Sequence, residues 1–329
     1  MAGRILVYCE SWESGGIESF LAGVLSRLGT EACRVDLVTA QLEPSVFTAG
    51  LEAAGVRFIP LSGSQKRVFA NHRLFRALLS ENRYDAVHLN IFQGMTLYYA
   101  HLARQAGVPV RIAHSHNTAL RKSRSRLLKL ALHRLYARRY APDATVFWAC
   151  SQAAADFAFP ARLLNARGWQ LIPNGIETAR FRFDPAVRTR VRRELGLDGA
   201  FVVGHVGRLV YQKNQAFLLA AFATLVPRLP ESRLLLVGEG EDRPALEQRA
   251  ADLGIADRVL FLGASRRVSE LLWAMDVFAF PSIFEGLGIA AVEAQAAGLC
   301  TICSQAVPAE AALTPLFLSL PLSAGPEGW

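Results

Sequence analysis

Two doubly wound α/β domains are the fold class that this sequence predicts, on three observations. Short apolar runs of strand length alternate with amphipathic runs of helix length through the first half of the chain. The alternation halts at Ile172–Glu177 (IPNGIE) and then begins again. Glycine-containing turns follow several of the apolar runs, as at Gly15–Gly16, Gly238–Gly240 and Gly286–Gly288, where a strand would hand over to a helix. The division expected is a first domain over 1–173, a linker over 174–184 and a second domain over 185–329, each with a parallel sheet. Strands are expected near 4–9, 34–39, 56–61, 86–90, 109–114, 145–150 and 170–173, then near 201–207, 233–237, 258–262, 277–281 and 300–303.

With 329 residues, 52% of them hydrophobic, the chain can bury more than one core. No apolar run approaches the roughly 20 residues of a membrane span. The start, MAGRILVYCE, reads as a first strand and not as a secretory signal. Cys9, Cys33, Cys150, Cys300 and Cys303 sit in apolar settings that suit reduced cytosolic thiols. Cys300 and Cys303 form a C-x-x-C without a second pair, which reads as strand core in preference to a metal or redox site. The net charge of +8 is uneven: 1–173 holds 21 Lys and Arg against 11 Asp and Glu, and 174–329 holds 15 against 17.

Eight of those cations lie between Arg121 and Arg139 with no acidic residue among them. Leu127, Leu128, Leu130, Ala131, Leu132 and Leu135 recur there with helical spacing, the pattern of a helix with one face on protein or lipid and a rim of cations. Nucleic acid is a poor partner for the segment, because few aromatic residues are available to stack on bases. An anionic membrane surface suits it better, with Arg121, Lys122, Arg124, Arg126 and Lys129 facing the lipid; a solvated basic helix is the alternative.

In open α/β sheets ligands lie beyond the carboxyl ends of the strands, so the residues just after each strand carry the chemistry. After the first strand, Gly15 and Gly16 precede a helix and form either a plain turn or one that faces an anion. After the fifth comes AHSHNT, where His114 and His116 alternate along the chain and are expected to face opposite sides, which argues against a shared metal ion. After the first strand of the second domain, Arg208 and Lys213 in HVGRLVYQKN can neutralise a diphosphate, one through a planar fork and the other as a point charge. The LLLVGEGED turn is neither a dinucleotide fingerprint nor a Walker motif. RVLFLG, at Arg258–Gly263, can offer backbone groups to a flat base.

The densest stretch is Phe280–Gly298, FPSIFEGLGIAAVEAQAAG. It reads as the end of a buried strand, a turn holding Glu285, and the start of a helix whose free amides suit an anion. Gly286 and Gly288 allow a ligand to approach the backbone closely. Glu293 lies about one and a half turns into the helix among Ala, Ile and Val, where a carboxylate must find donors or keep its proton. Ribose hydroxyls are suitable donors. Taken singly, each glutamate reads better as a loop or helix-face charge.

In this order, GGIES, RIAHSHNT, the basic segment, ACSQAAADF, LIPNGIE, VGRLVYQKN, LLLVGEGE, RVLFLG and FEGLGIAAVEAQAAG resemble the retaining glycosyltransferases of family four. Those that build bacterial exopolysaccharides and capsules are the most similar. The resemblance implies the GT-B fold of two facing Rossmann-like domains and transfer of a hexose from a nucleotide sugar, a uridine diphosphate sugar first, to a lipid-linked saccharide. It implies that Arg208 and Lys213 hold the diphosphate, that Glu285 with the amides of Gly286, Leu287 and Gly288 binds the sugar, and that Glu293 binds the ribose. Gly16 would close on the phosphates, and His116 would lie near the sugar and acceptor. No cofactor is implied, since the nucleotide sugar is the substrate, and no metal, since no Asp-x-Asp occurs. The implied place is the inner face of the cytoplasmic membrane, peripherally bound. Family members usually continue past the point where this chain stops, in a helix that returns to the first domain; PLSAGPEGW therefore reads as an early end. Two other readings share the architecture: a nucleotide-sugar 2-epimerase and an inactive nucleotide-sugar binder. A glycosidase using Glu285 and Glu293 leaves the phosphate-binding groups unexplained.

Overall fold

The computed structural model describes residues 3–13, 15–28, 33–43, 45–120 and 125–329. The chain divides into two compact units, Met1–Gly175 and Ile176–Trp329. In the first, β1 (Gly3–Trp12), α1 (Gly16–Leu25), β2 (Cys33–Leu42), α2 (Thr48–Ala53) and β3 (Arg57–Pro60) run outward to one edge of a sheet. The chain then returns through α3 (Val68–Glu81) to place β4 (Ala86–Ile91) against the other side of β1. From there α4 (Tyr98–Gln105), β5 (Val110–Ser115), α5 (Arg126–Tyr140), β6 (Val146–Ala149), α6 (Gln152–Ala158), α7 (Ala161–Arg167) and β7 (Gln170–Leu171) complete the order β3-β2-β1-β4-β5-β6-β7, parallel throughout. The reversal between β1 and β4 opens a crevice at the carboxyl ends of the strands. Leu6, Val7, Leu37, Val38, Val87, Leu89 and Ala113 are buried, as expected of strands covered on both faces.

The second unit repeats the scheme with α8 (Pro185–Glu194), β8 (Phe201–Val206), α9 (Gln215–Leu225), β9 (Ser232–Val237), α10 (Arg243–Asp252), β10 (Val259–Gly263), α11 (Val268–Ala274), β11 (Val277–Phe280), α12 (Ile289–Ala296), β12 (Cys300–Ser304) and β13 (Phe317–Leu320). The sheet order is β10-β9-β8-β11-β12-β13. Twelve of the 13 strands among the described residues fall where the sequence places them; β13 does not figure in that reading. Its segment is only four residues long, is bracketed by Pro315 and Pro321, and keeps Leu318 exposed, so it lacks the apolar run of a central strand. Cys300 and Cys303 both lie in β12, and all five cysteines are free thiols.

The α5 helix departs from expectation in how it is attached. Its buried residues are His133 and Ala137, whereas Leu127, Leu128 and Leu135 are 83%, 63% and 59% exposed. His133 accepts the Gly94 amide at Nδ1 (2.8 Å) and donates from Nε2 to the Phe157 carbonyl (2.7 Å). A Cβ at position 94 would collide with the His133 carbonyl oxygen, so glycine there lets the helix backbone approach. Gly94→Ala should therefore destabilise the first unit by about 1–3 kcal/mol, as forced overpacking does, read as a lower urea midpoint.

Candidate functional site

In the second unit the loops after β8 and β11 are stitched together. The Ile283 amide donates to the Gln212 carbonyl (2.8 Å), Gln212 Nε2 donates to the Phe284 carbonyl (3.0 Å), and Asn214 Nδ2 to that of Pro281 (3.1 Å). Asn214 reaches this position in the left-handed region, φ 56°, where asparagine is more tolerant than most residues. Between these contacts Lys213 Nζ sits 2.6 Å from Glu285 Oε1 and 4.7 Å from the centre of the Phe280 ring. Glu285 is buried and Lys213 mostly so. Removing either would strand the other's charge in a poorly solvated place.

The Arg208 loop is held from beneath. Gln215 Nε2 donates to the Arg208 carbonyl (2.8 Å) and faces His205 Nε2 (3.1 Å), while His205 Nδ1 donates to the Ala279 carbonyl (2.9 Å). Burial lowers the His205 pKa to about 4, so the ring is neutral, with its proton on Nδ1. Gly238 and Gly240 complete the support: a Cβ at either would strike the carbonyl of Gly207 or Leu209. The Arg208 side chain itself is exposed.

The α12 helix begins at Gly288, φ 87°, with no side-chain cap. Its opening amides thus face the turn that carries Glu285, Gly286 and Leu287, an arrangement that accepts an anion. Glu293 is half-buried on the same helix. Desolvation pushes its carboxyl up to about 7, and the Arg180 charge offsets only part of that. Among the described residues no hydrogen bond reaches its carboxyl group, and it does not join the Lys213–Glu285 pair.

In the first unit His114 and His116 do not diverge. Their ring centres are 3.9 Å apart. Side chains at i and i+2 of an extended chain share a face, so the expectation of opposite sides misjudged the strand period. His88 Nε2 lies 3.2 Å from His114 Nδ1, and the Phe20 ring, one helical turn on from Gly16, is 5.4 Å from that of His116. The helix that Gly16 opens thus reaches His116 through Phe20, and space is open where a Cβ of residue 16 would stand.

The proton on His116 can be assigned. Asn90 Nδ2 donates to the Tyr8 carbonyl (3.0 Å), which turns Asn90 Oδ1 toward His116 Nε2 (2.9 Å). Nε2 is then the donor. Burial lowers the His116 pKa to about 3, so the ring is neutral and Nδ1 is bare; Asn174 Oδ1, placed 3.1 Å from it, must exchange places with its amide nitrogen for that contact to be a hydrogen bond. Among the described residues no group of three or more His, Cys, Asp or Glu side chains is placed to hold a metal ion. Of the membrane-facing residues expected from sequence, Arg121, Lys122 and Arg124 lie outside the described residues, and Arg126 and Lys129 are exposed on α5.

The family model for Glycosyltransferase Family 4 matches residues 14–180, and that for Glycosyl transferases group 1 matches 187–314. The EpsF protein of Bacillus subtilis, a glycosyltransferase by name, is 31% identical over 337 residues that cover 98% of this chain and 86% of EpsF. The chain belongs to glycosyltransferase family 4. Two further relatives of the family 4 enzyme match over less of their length. A GDP-mannose-dependent α-(1-6)-phosphatidylinositol monomannoside mannosyltransferase of Mycolicibacterium smegmatis is 33% identical over 62% of this chain and 54% of its own. A UDP-Gal:α-D-GlcNAc-diphosphoundecaprenol α-1,3-galactosyltransferase of Escherichia coli is 30% identical over 69% and 59%. The fold is that of Anabaena Alr3699/HepE, solved with UDP and glucose, at a TM-score of 0.79 and 23% identity over 99% of this chain and 87% of that one. The glycosyltransferase thus has the two Rossmann-like domains of the GT-B fold.

The sequence alone does not single out Gln212, Asn214, His205 and Gln215, which position the candidate groups of the second unit, or Asn90 and Asn174, which flank His116 in the first. Gln212 and Asn214 flank Lys213 and were within reach; the rest declare themselves only through distant partners. One prediction follows from the Glu293 carboxyl. Its folded pKa of about 7 exceeds the unfolded value of about 4.5, so its contribution to stability is fully present below pH 4.5 and is lost as pH rises through 7. Glu293→Gln should leave the melting temperature unchanged at pH 4 and raise it at pH 8, as scanning calorimetry at the two pH values will show.

Proposed function

We propose that this family 4 enzyme is a retaining hexosyltransferase that moves a sugar from a UDP-sugar to a lipid-linked saccharide in exopolysaccharide or capsule biosynthesis. The observation that carries the reading is the Lys213–Glu285 pair at 2.6 Å, set beside the uncapped start of α12. A cation, a carboxylate and a helix start without a side-chain cap at one place suit a group that is anionic at one end and hydroxylated at the other. Arg208 and Lys213 take the diphosphate, Glu285 and the amides of Gly286, Leu287 and Gly288 take hydroxyls of the transferred sugar, and Glu293 takes the ribose. The names of EpsF and the Escherichia coli relative support the pathway and the lipid-linked acceptor.

In the transfer the bond from the anomeric carbon to the phosphate oxygen breaks, and the bond to the acceptor oxygen forms on the same face. The acceptor proton passes to the departing phosphate. Cations fixed on that phosphate stabilise the charge it gains, and a preorganised group of this kind contributes about 3–4 kcal/mol. His116 is neutral, with its Nε2 proton held by Asn90 and its Nδ1 against Asn174, which does not suit proton exchange. Glu285, already paired with Lys213, is a binding group and not a nucleophile. The two cations make a divalent metal unnecessary.

Among the described residues no helix is long and apolar enough to cross a membrane. The exposed Leu127 and Leu128 beside Arg126 and Lys129 support peripheral docking of α5 on an anionic inner leaflet, each cation contributing about 1 kcal/mol. A second reading of the donor, GDP-mannose, is favoured by the Mycolicibacterium relative.

Incubation with UDP- and GDP-sugars and lipid-linked acceptors tests the proposal. Nucleoside diphosphate should be released with a product of retained anomeric configuration, undiminished by a chelator. Activity lost to the chelator and restored by Mg²⁺ would refute metal independence, and use of GDP-mannose alone would select the second donor. Lys213→Ala should weaken nucleotide binding by about tenfold or more, the loss of one charge-assisted hydrogen bond, and unchanged affinity by calorimetry would remove Lys213 from the site.

A further inference from the structure

Phe69, the second residue of α3, is 90% exposed, more than any other large apolar residue described. It follows Lys66 and Arg67, and the sequence holds no acidic residue between Glu52 and Glu81, nor between Asp85 and Asp143. In a parallel α/β sheet the helices run back against the strands, so their first residues gather at the edge where the strands end. Phe69 on α3 and Leu127 and Leu128 on α5 therefore project from one edge of the first unit. Packing supports this: α4 lies against both helices, with Tyr98 5.0 Å from Tyr140 of α5 and 4.5 Å from His72 of α3. With one helix between them, the axes of α3 and α5 are about 16–20 Å apart, at 8–10 Å per helix contact.

We infer that the start of α3, around Phe69, is a second membrane anchor that works with α5, so that the glycosyltransferase meets an anionic lipid surface at two points. This rests on the docking of α5 proposed above and adds a contact to it. Lys66, Arg67 and Arg73 surround Phe69 as Arg126, Lys129 and Arg134 surround the α5 leucines, and all six are exposed. None of the six forms an ion pair among the described residues. Cations ringing an apolar tip match a plane of anionic headgroups over acyl chains, with the ring entering and the charges staying in the headgroup layer. Two points on separate helices also fix orientation, which a single helix lying in the interface leaves free to roll. They hold the carboxyl edge of the sheet, where His116 lies, toward the lipid.

The test is cosedimentation of the full chain with vesicles of phosphatidylglycerol and phosphatidylcholine, beside phosphatidylcholine alone, over a range of salt. Phe69→Ser should weaken binding to the anionic vesicles about tenfold with the salt slope unchanged, because an apolar contact is lost and no cation. Phe69→Leu should restore most of the binding. Arg126→Ser with Lys129→Ser should flatten the salt slope. An unaltered circular dichroism spectrum and urea midpoint show that each variant is folded. If Phe69→Ser binds as the wild type does, the second anchor is refuted while α5 docking stands; if the wild type ignores anionic vesicles, both fall. A Phe69→Ser protein that loses self-association in sedimentation velocity but keeps its vesicle binding would make the tip a contact between copies and overturn the inference.

Discussion

A lysine and a glutamate 2.6 Å apart, drawn from loops that follow two neighbouring strands, organise the second unit. Neither residue could stay there alone: Glu285 is nearly out of water, and Lys213 lies over an aromatic face that cannot accept a hydrogen bond of ordinary strength. The pair needs both loops to end at the right height. That requirement explains the otherwise scattered details around it: the left-handed Asn214, the Gln212 bridge, the glycines pressed against Gly207 and Leu209, and a neutral histidine braced between Gln215 and the Ala279 carbonyl. Each fixes backbone, and together they leave the cation and carboxylate where a phosphate and a sugar hydroxyl can replace part of what they give each other.

The first unit solves a different problem with similar means. Its histidine is held by amides instead of charges, and the orientation of Asn90 by the Tyr8 carbonyl settles which ring nitrogen carries the proton. The α5 helix, too, is secured by one histidine rather than by its leucines. Because His133 uses both ring nitrogens on backbone groups, the helix can afford to leave an apolar stripe outside.

The strands were legible because buried parallel strands must be apolar on both faces, and glycine turns bound them; β13, four residues between prolines, gave no such signal. The glycines and charges of the second unit's site were legible because the chemistry of phosphate and hydroxyl groups restricts residue type. What stayed hidden was pairing. Nothing local to Glu285 names Lys213 as its partner 72 positions earlier, and nothing local to His116 names Asn90 and Asn174. The relation of His114 to His116 was legible and was misjudged, since a two-residue step along an extended chain returns to the same face. The leucines of α5 were rightly placed on a helix, but periodicity alone does not say whether an apolar stripe meets protein.

The Glu293 carboxyl, pushed up to about 7, carries a proton about half the time near neutral pH when the site is empty. In the binding mode proposed above, a ribose that donates hydrogen bonds to it would select the ionised form. Donor capture then expels on the order of half a proton per molecule into the medium. The heat measured on mixing consequently differs between buffers of high and low ionisation enthalpy, and the proton balance of the whole transfer cycle includes one group that never touches the reacting atoms.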